Sequence, residues 1–272
     1  MTDRLKDLST WTRESARALH VLFTDIDDTV SSEGRISPAA YAALWKAQEA
    51  GLRVVPVTGR PAGWCDHIAR MWPVDGVIGE NGGLVFRLEG GKMVRHFLYD
   101  GAARAEFRRR LEAVREDILR RVPGAGIASD QAYREYDLAV DFCEDVPRLP
   151  LEEARRIQAI FEEHGATAKI SSIHVNGWFG TFDKVSAARA YLREFAGLDP
   201  DRDRHRCAFS GDSPNDEPMF GWLEETSVGV ANLRDFLHLL QHQPAFLTRG
   251  RSGEGFAEFV ERLVSLRAGV SA

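Results

Sequence analysis

Short apolar runs alternate with helical segments along most of this chain, and the alternation breaks once, in the middle. Residues 20–25 (HVLFTD) read as a buried strand. Residues 38–51 (PAAYAALWKAQEAG) follow Ser37, open with proline and close on glycine, which is how a helix begins and ends. Residues 52–59 make a second strand, a helix follows over about 61–71, and a third strand at 75–79 runs into Glu80-Asn81-Gly82-Gly83. Strand, helix and strand in that order imply a right-handed crossover and a parallel sheet.

The break begins at residue 84. Residues 84–98 read as a hairpin around Glu89-Gly90-Gly91, followed by an arginine-rich helix over 104–121 and strands near 126–129 and 137–142. A helix over 151–164 precedes strands near 167–171 and 173–177. Helix, strand, strand, twice over, suits an antiparallel sheet with its helices on one face. From Lys184 the alternation returns: helix to about 195, strand 206–211, helix 214–222, strand 226–231, helix 233–241, strand 245–248 and a helix over 254–267. The expected class is therefore α/β, a Rossmann-like parallel-sheet core of residues 1–84 and 184–272 interrupted by an inserted α+β module at 85–183. A chain of 272 residues with 44% hydrophobic content can bury cores for both.

Charge and composition exclude several function classes. A net charge of −6 and a pI near 5.8 lack the basic face that nucleic acid requires, and the arginines of 104–121 are interleaved with acids on an amphipathic helix. The 3 cysteines are widely spaced without CxxC pairing, which fits a reducing compartment and neither a disulfide framework nor a zinc site. The first twenty residues are charged throughout, and no apolar run approaches the roughly 18 residues of a membrane span. The expected location is the cytoplasm, with no membrane partner and with a homodimer left open.

In a parallel sheet, ligands gather beyond the carboxyl ends of the strands. Here the first strand ends in Asp25-Ile26-Asp27-Asp28-Thr29, the second in Thr58-Gly59-Arg60, and the strand after the insertion in Gly211-Asp212-Ser213-Pro214-Asn215-Asp216, while Lys184 opens the helix after the insertion. Clustered carboxylates repel and lose hydration, so they cost stability unless a cation or a hydrogen-bond network offsets them. A lone Asp-Asp is ordinary turn chemistry. Several carboxylate-bearing strand ends brought together suit Mg²⁺, which keeps waters and a phosphate oxygen in its shell.

DxDxT, a strand-ending TGR, a helix-opening lysine and GDxxND, in that order and on those elements, resemble the haloacid dehalogenase superfamily. The place of the insertion resembles its Cof-type and sucrose-phosphatase-like branch, subfamily IIB, with a cap of type C2. The resemblance implies a phosphomonoesterase acting on a sugar phosphate or similar small phosphate ester. It makes Asp25 the nucleophile and Asp27 the acid and base. It also implies Mg²⁺ on Asp25, the Asp27 backbone carbonyl and Asp212, with Asp216 close by, and Thr58, Gly59, Lys184 and Asn215 on the phosphoryl group.

The family commonly has glycine where Asp28 stands, and Asp28 reads as a loop cap more readily than as a ligand. Asn81 lies in a turn like that branch's Asn-Gly. Specificity is expected in the inserted module, where strand alternation puts His174 and Asn176 on one face and Trp178 offers a stacking surface for a sugar ring. Against these stand a paired strand histidine, a turn asparagine and a hinge-packing tryptophan. Two rival functions share the reading: a phosphomutase of the same fold, which needs a second basic phosphate site such as Arg134, and a non-enzymatic phosphate-binding regulator, which needs no nucleophile. A nucleotide-binding dehydrogenase fits poorly, since no GxGxxG follows the first strand.

Overall fold

The computed structural model describes residues 5–171 and 173–269; the outermost residues of the expected core span lie outside them. In chain order the core opens with strand β1 (Lys6–Asp7), helix α1 (Arg13–Ala18), β2 (Val21–Thr24), a small hairpin of β3 (Ser31–Ser32) and β4 (Arg35–Ile36), α2 (Pro38–Glu49), β5 (Arg53–Pro56), α3 (Ala62–Met71) and β6 (Val77–Gly79). A hairpin of β7 (Leu84–Glu89) and β8 (Lys92–Phe97) leads to α4 (Gly101–Arg121), β9 (Gly126–Ile127), β10 (Asp137–Asp141), α5 (Leu151–Glu163), β11 (Thr167–Ile170) and β12 (His174–Trp178). The chain then returns through α6 (Lys184–Tyr191), β13 (Cys207–Gly211), α7 (Glu217–Trp222), β14 (Ser227–Gly229), β15 (Phe246–Leu247) and α8 (Ser252–Ala268).

Six parallel strands form the main sheet in the order β1-β15-β14-β13-β2-β5. The strands read as continuous apolar runs because both faces are covered. Alternate side chains of β2 divide between them: Leu22 packs with Leu44, Phe256 and Phe259, while Val21 and Phe23 pack with Tyr191, Met219 and Phe220. β2 lies between β5 and β13, so the ends that carry the aspartates, Thr58 and Asp212 come out side by side.

Beside β5, Val57 and Ile78 make a parallel bridge that extends the core to β6, and β6, β7 and β8 continue antiparallel. The hairpin therefore pairs with the core side. The antiparallel sheet of the insertion, in the order β11-β12-β10-β9, starts at β9. Its apolar face (Leu138, Val140, Val175) packs against Val114 and Ile118 of α4 and Ile157 and Phe161 of α5.

Three local differences from the sequence reading have plain causes. β1 and α1 are too short to show a period, yet Trp11 between them is buried and stacks on Phe246 at 4.5 Å. The expected helix at 233–241 is a 3-10 stretch, Ala231–Leu239. The helix from Lys184 turns into a π-helical segment at Leu192–Ala196 and stops at Gly197 with φ 66°. No helix among the described residues is long and apolar enough to cross a membrane.

Candidate active site

The two central strand ends are tied together just below the acids. The Asp25 N–H donates to Ser210 O (2.9 Å), the Ser210 hydroxyl to Thr24 Oγ1 (2.8 Å), and the Thr24 hydroxyl to Asp25 O (2.8 Å). Beyond β13, the Asp212 N–H donates to Asp216 Oδ2 (3.1 Å) and the Thr29 hydroxyl to Asp212 Oδ1 (3.2 Å). Gly211 makes this possible, because a Cβ there would collide with the Asp216 carboxylate. Asp183 caps α6 through a reciprocal bond with Ser186, which sets Lys184 at the first helical position facing the acids. Its Nζ donates to Asp25 Oδ1 and Asp216 Oδ1, each at 2.7 Å, and to Asn215 Oδ1 at 3.4 Å.

Asp25, Asp212 and Asp216 are all buried, and an oxygen of each lies within 4.8 Å of the others. One ammonium group faces three carboxylates. Burial pushes the Asp25 carboxyl up to about 8, with Lys184 pulling it down and Asp216 and Asp27 pushing it further up. Asp212 is raised well above the ordinary range by burial, then by Asp216 and Asp25. Burial alone would lower Lys184, but Asp216 and Asp25 hold it above its ordinary value. Hard oxygens with uncompensated charge are a donor set that fits Mg²⁺, so these three residues could hold it.

Asp27 lines the same cleft and is paired with Arg60, whose Nε and Nη2 both donate to its carboxylate (3.0 and 2.8 Å). The sequence reading noted Arg60 only as part of its motif. Thr58 is fully buried and its hydroxyl accepts from the Arg60 N–H at 3.0 Å, while Gly59 lines the cleft above it. Arg134, considered as a second phosphate site, is spent elsewhere: it donates to Asp130, to Asp137 and to Gly59 O.

The polar face of the insertion's sheet closes the cleft from above. His174 and Asn176 share its lining with Asp25, Asp27 and Lys184. His174 Nε2 sits 2.9 Å from Glu144 Oε2, and the Asn176 amide donates to Asp137 Oδ2 at 2.9 Å. The expected stacking role of Trp178 is corrected: the ring is 1% exposed, stacks on Phe182 at 5.5 Å and does not line the cleft. It shares the strand face of His174 and Asn176 but lies at the junction end, beneath Tyr136 and Phe182. Asp28 adopts φ 56°, the left-handed region where glycine is common and aspartate is tolerated, which accounts for its standing at a glycine position. Asn81, also left-handed at φ 56°, turns its side chain into the cleft.

Glu80 was not singled out by the sequence. Fully buried at the end of β6, its carboxylate accepts from the N–H groups of Ala62, Glu135, Tyr136 and Asp137, tying the start of α3 to the start of β10. Only a fold that brings residues 80 and 136 together reveals it.

A sequence profile of the haloacid dehalogenase-like hydrolases matches residues 22–113, which hold the aspartate, threonine and asparagine-glycine segments described above. Over that segment the chain is similar to the haloacid dehalogenase-like hydrolases. It is similar along nearly its whole length to two archaeal phosphoglycolate phosphatases. That of Methanobrevibacter smithii is 25% identical over 254 residues, covering 90% of this chain and 99% of the relative. That of Methanoculleus marisnigri is 29% identical over 251 residues, covering 90% and 96%. The fold recurs in a Thermoplasma acidophilum protein (TM-score 0.69, 19% identity, 90% and 98% of the two chains). It recurs again in the sucrose-phosphatase of Synechocystis solved with sucrose and phosphate (TM-score 0.63, 16% identity, 91% and 98%).

Proposed function

We propose that this chain is a haloacid dehalogenase-like hydrolase, a Mg²⁺-dependent phosphomonoesterase that cleaves a small phosphate ester through an aspartyl-phosphate on Asp25. The observation that carries the reading is the Asp25 carboxylate at a central strand end, gripped by Lys184 beside Asp212 and Asp216, with Asp27 across the cleft.

An Asp25 oxygen attacks phosphorus, the ester P–O bond breaks, and Asp27 gives a proton to the departing oxygen. Asp27, now a carboxylate, takes a proton from water as that water attacks the aspartyl-phosphate, releasing phosphate and restoring Asp25. Lys184 and the Gly59 backbone offset charge on the phosphoryl oxygens, and Asn215, 3.4 Å from the lysine, orients that end. Arg60 holds Asp27 in place from both oxygens. Asp25, Asp212 and Asp216 would hold Mg²⁺, which supplies electrostatic stabilisation of the transferring group.

Residues 85–183 act in this reading as a cap that selects the substrate, since every residue assigned to phosphoryl transfer lies outside them. Phosphoglycolate, named for the two archaeal relatives, is the first substrate to test, and sugar phosphates the second. The phosphomutase reading is weaker because Arg134 is committed to Asp130 and Asp137. Purified protein should release phosphate from members of a panel of esters only with Mg²⁺, and Asp25→Asn should lower turnover by several orders of magnitude, roughly the cost of losing a nucleophile. Near wild-type hydrolysis by Asp25→Asn would sink the assigned mechanism.

A further inference from the structure

The cleft is lined by four cationic side chains among the described residues, and three are already neutralised: Arg60 by Asp27, Arg134 by Asp130 and Asp137, and Lys184 by Asp25 and Asp216. The fourth is Lys169. It stands on β11 directly opposite Asn176, so its side chain shares the sheet face that closes the cleft. No carboxylate pairs with it among the described residues, and it is exposed enough to move. From the core side a second donor meets the same space. Asn81 is 7% exposed, lines the cleft, and its Nδ2 has no hydrogen-bond partner. A buried amide N–H₂ left unbonded costs free energy that a ligand acceptor would recover.

We infer that Lys169 and Asn81 form a subsite for a carboxylate on the leaving group, so that the substrate is the phosphate ester of a small hydroxy acid. The inference rests on the phosphomonoesterase reading for its phosphoryl end and adds the chemistry of the other end. Both groups are donors only at the atoms concerned, so what lies between them must accept. One uncompensated lysine matches a single negative charge. A second phosphate group, with close to two charges, would meet no further free cation, since both cleft arginines are taken. A neutral sugar would gain little from an ammonium group and finds no stacking ring, because Trp178 is buried at the junction.

The test compares 2-phosphoglycolate, its neutral counterpart 2-hydroxyethyl phosphate, and a hexose bisphosphate in the presence of Mg²⁺. Wild-type protein is expected to prefer the carboxylated ester by about tenfold or more in kcat/KM, equivalent to one well-placed charge contact. Lys169→Gln should bring that ratio close to one, chiefly through KM, and Lys169→Arg should restore part of it. Asn81→Gly keeps the left-handed backbone at φ 56° and should lower the same ratio. A ratio unmoved by Lys169→Gln, a preference for the bisphosphate that depends on Lys169, or a parallel loss on the carboxylated and neutral esters would each overturn the inference. Calorimetric binding to Asp25→Asn carries the same comparison without turnover. Selective weakening of 2-phosphoglycolate binding by Lys169→Gln in that background upholds the subsite even if the wild type releases no phosphate, an outcome that sinks only the phosphatase reading.

Discussion

Gly211 shows how much of the chemistry depends on what a residue lacks. Its missing side chain leaves the space in which the Asp216 carboxylate accepts from the Asp212 N–H and from Lys184. Gly211→Ala should leave β13 and its neighbours folded but push Asp216 out of the acidic cluster. Mg²⁺ affinity, followed by calorimetry, should drop by roughly tenfold or more, as for the loss of a partner that orients metal ligands. Unchanged affinity would mean that Asp216 has no part in holding the ion. At this scale the sequence was readable where function is local in the chain. The aspartates, threonine and lysine sit at strand and helix ends, which periodicity locates. Arg60's grip on Asp27, Lys169's place in the cleft and Asn81's orphaned amide depend on how the insertion lies over the core, and no short-range pattern encodes that.

Elements meet at Glu80. Burial pushes its carboxyl up to about 7 from an ordinary 4.5, the Asp137 charge adding to this while Arg134 and the N–H groups of Glu135 and Tyr136 pull the other way. The folded protein thus holds a proton that the unfolded chain releases at lower pH, so the stabilisation is fully present below about 4.5 and is lost as pH rises through about 7. Glu80→Gln carries no such charge. The melting temperature of the wild type relative to this variant should therefore fall between pH 5 and pH 8, by roughly 5 °C for a protein of this size. A constant difference across that range would show that Glu80 stays ionised. Alternation along β12 was enough to place His174, Asn176 and Trp178 on one face. It says nothing of depth, and the last of them lies past the cleft under Phe182 because Tyr136 and Phe182 close the junction there. The 3-10 stretch at Ala231–Leu239 was read as an ordinary helix because its apolar spacing serves either geometry.

Across the whole molecule, activity should need both the acidic cluster of the core and a cation to balance it. EDTA should abolish phosphate release, and Mg²⁺ should restore it better than Ca²⁺, which prefers more ligands at longer distances. Equal rates after chelation would remove Asp25, Asp212 and Asp216 from a metal role. The parallel core and its antiparallel insertion were legible because their element orders differ, whereas the attachment of the β7–β8 hairpin to β6 was not, since a hairpin can continue either sheet. The position of β2 also bears on the order in which the protein assembles during synthesis. Thr24 pairs with Ser210, 186 residues further on, while the four strands of the insertion all lie between residues 126 and 178. A chain emerging from the ribosome can therefore finish the insertion's sheet while β2 has β5 alone beside it, its other edge open until β13 arrives. The strand that leads to Asp25 waits 186 residues for this neighbour, and premature termination before residue 207 would leave a folded insertion tethered to an unfinished and adhesive core.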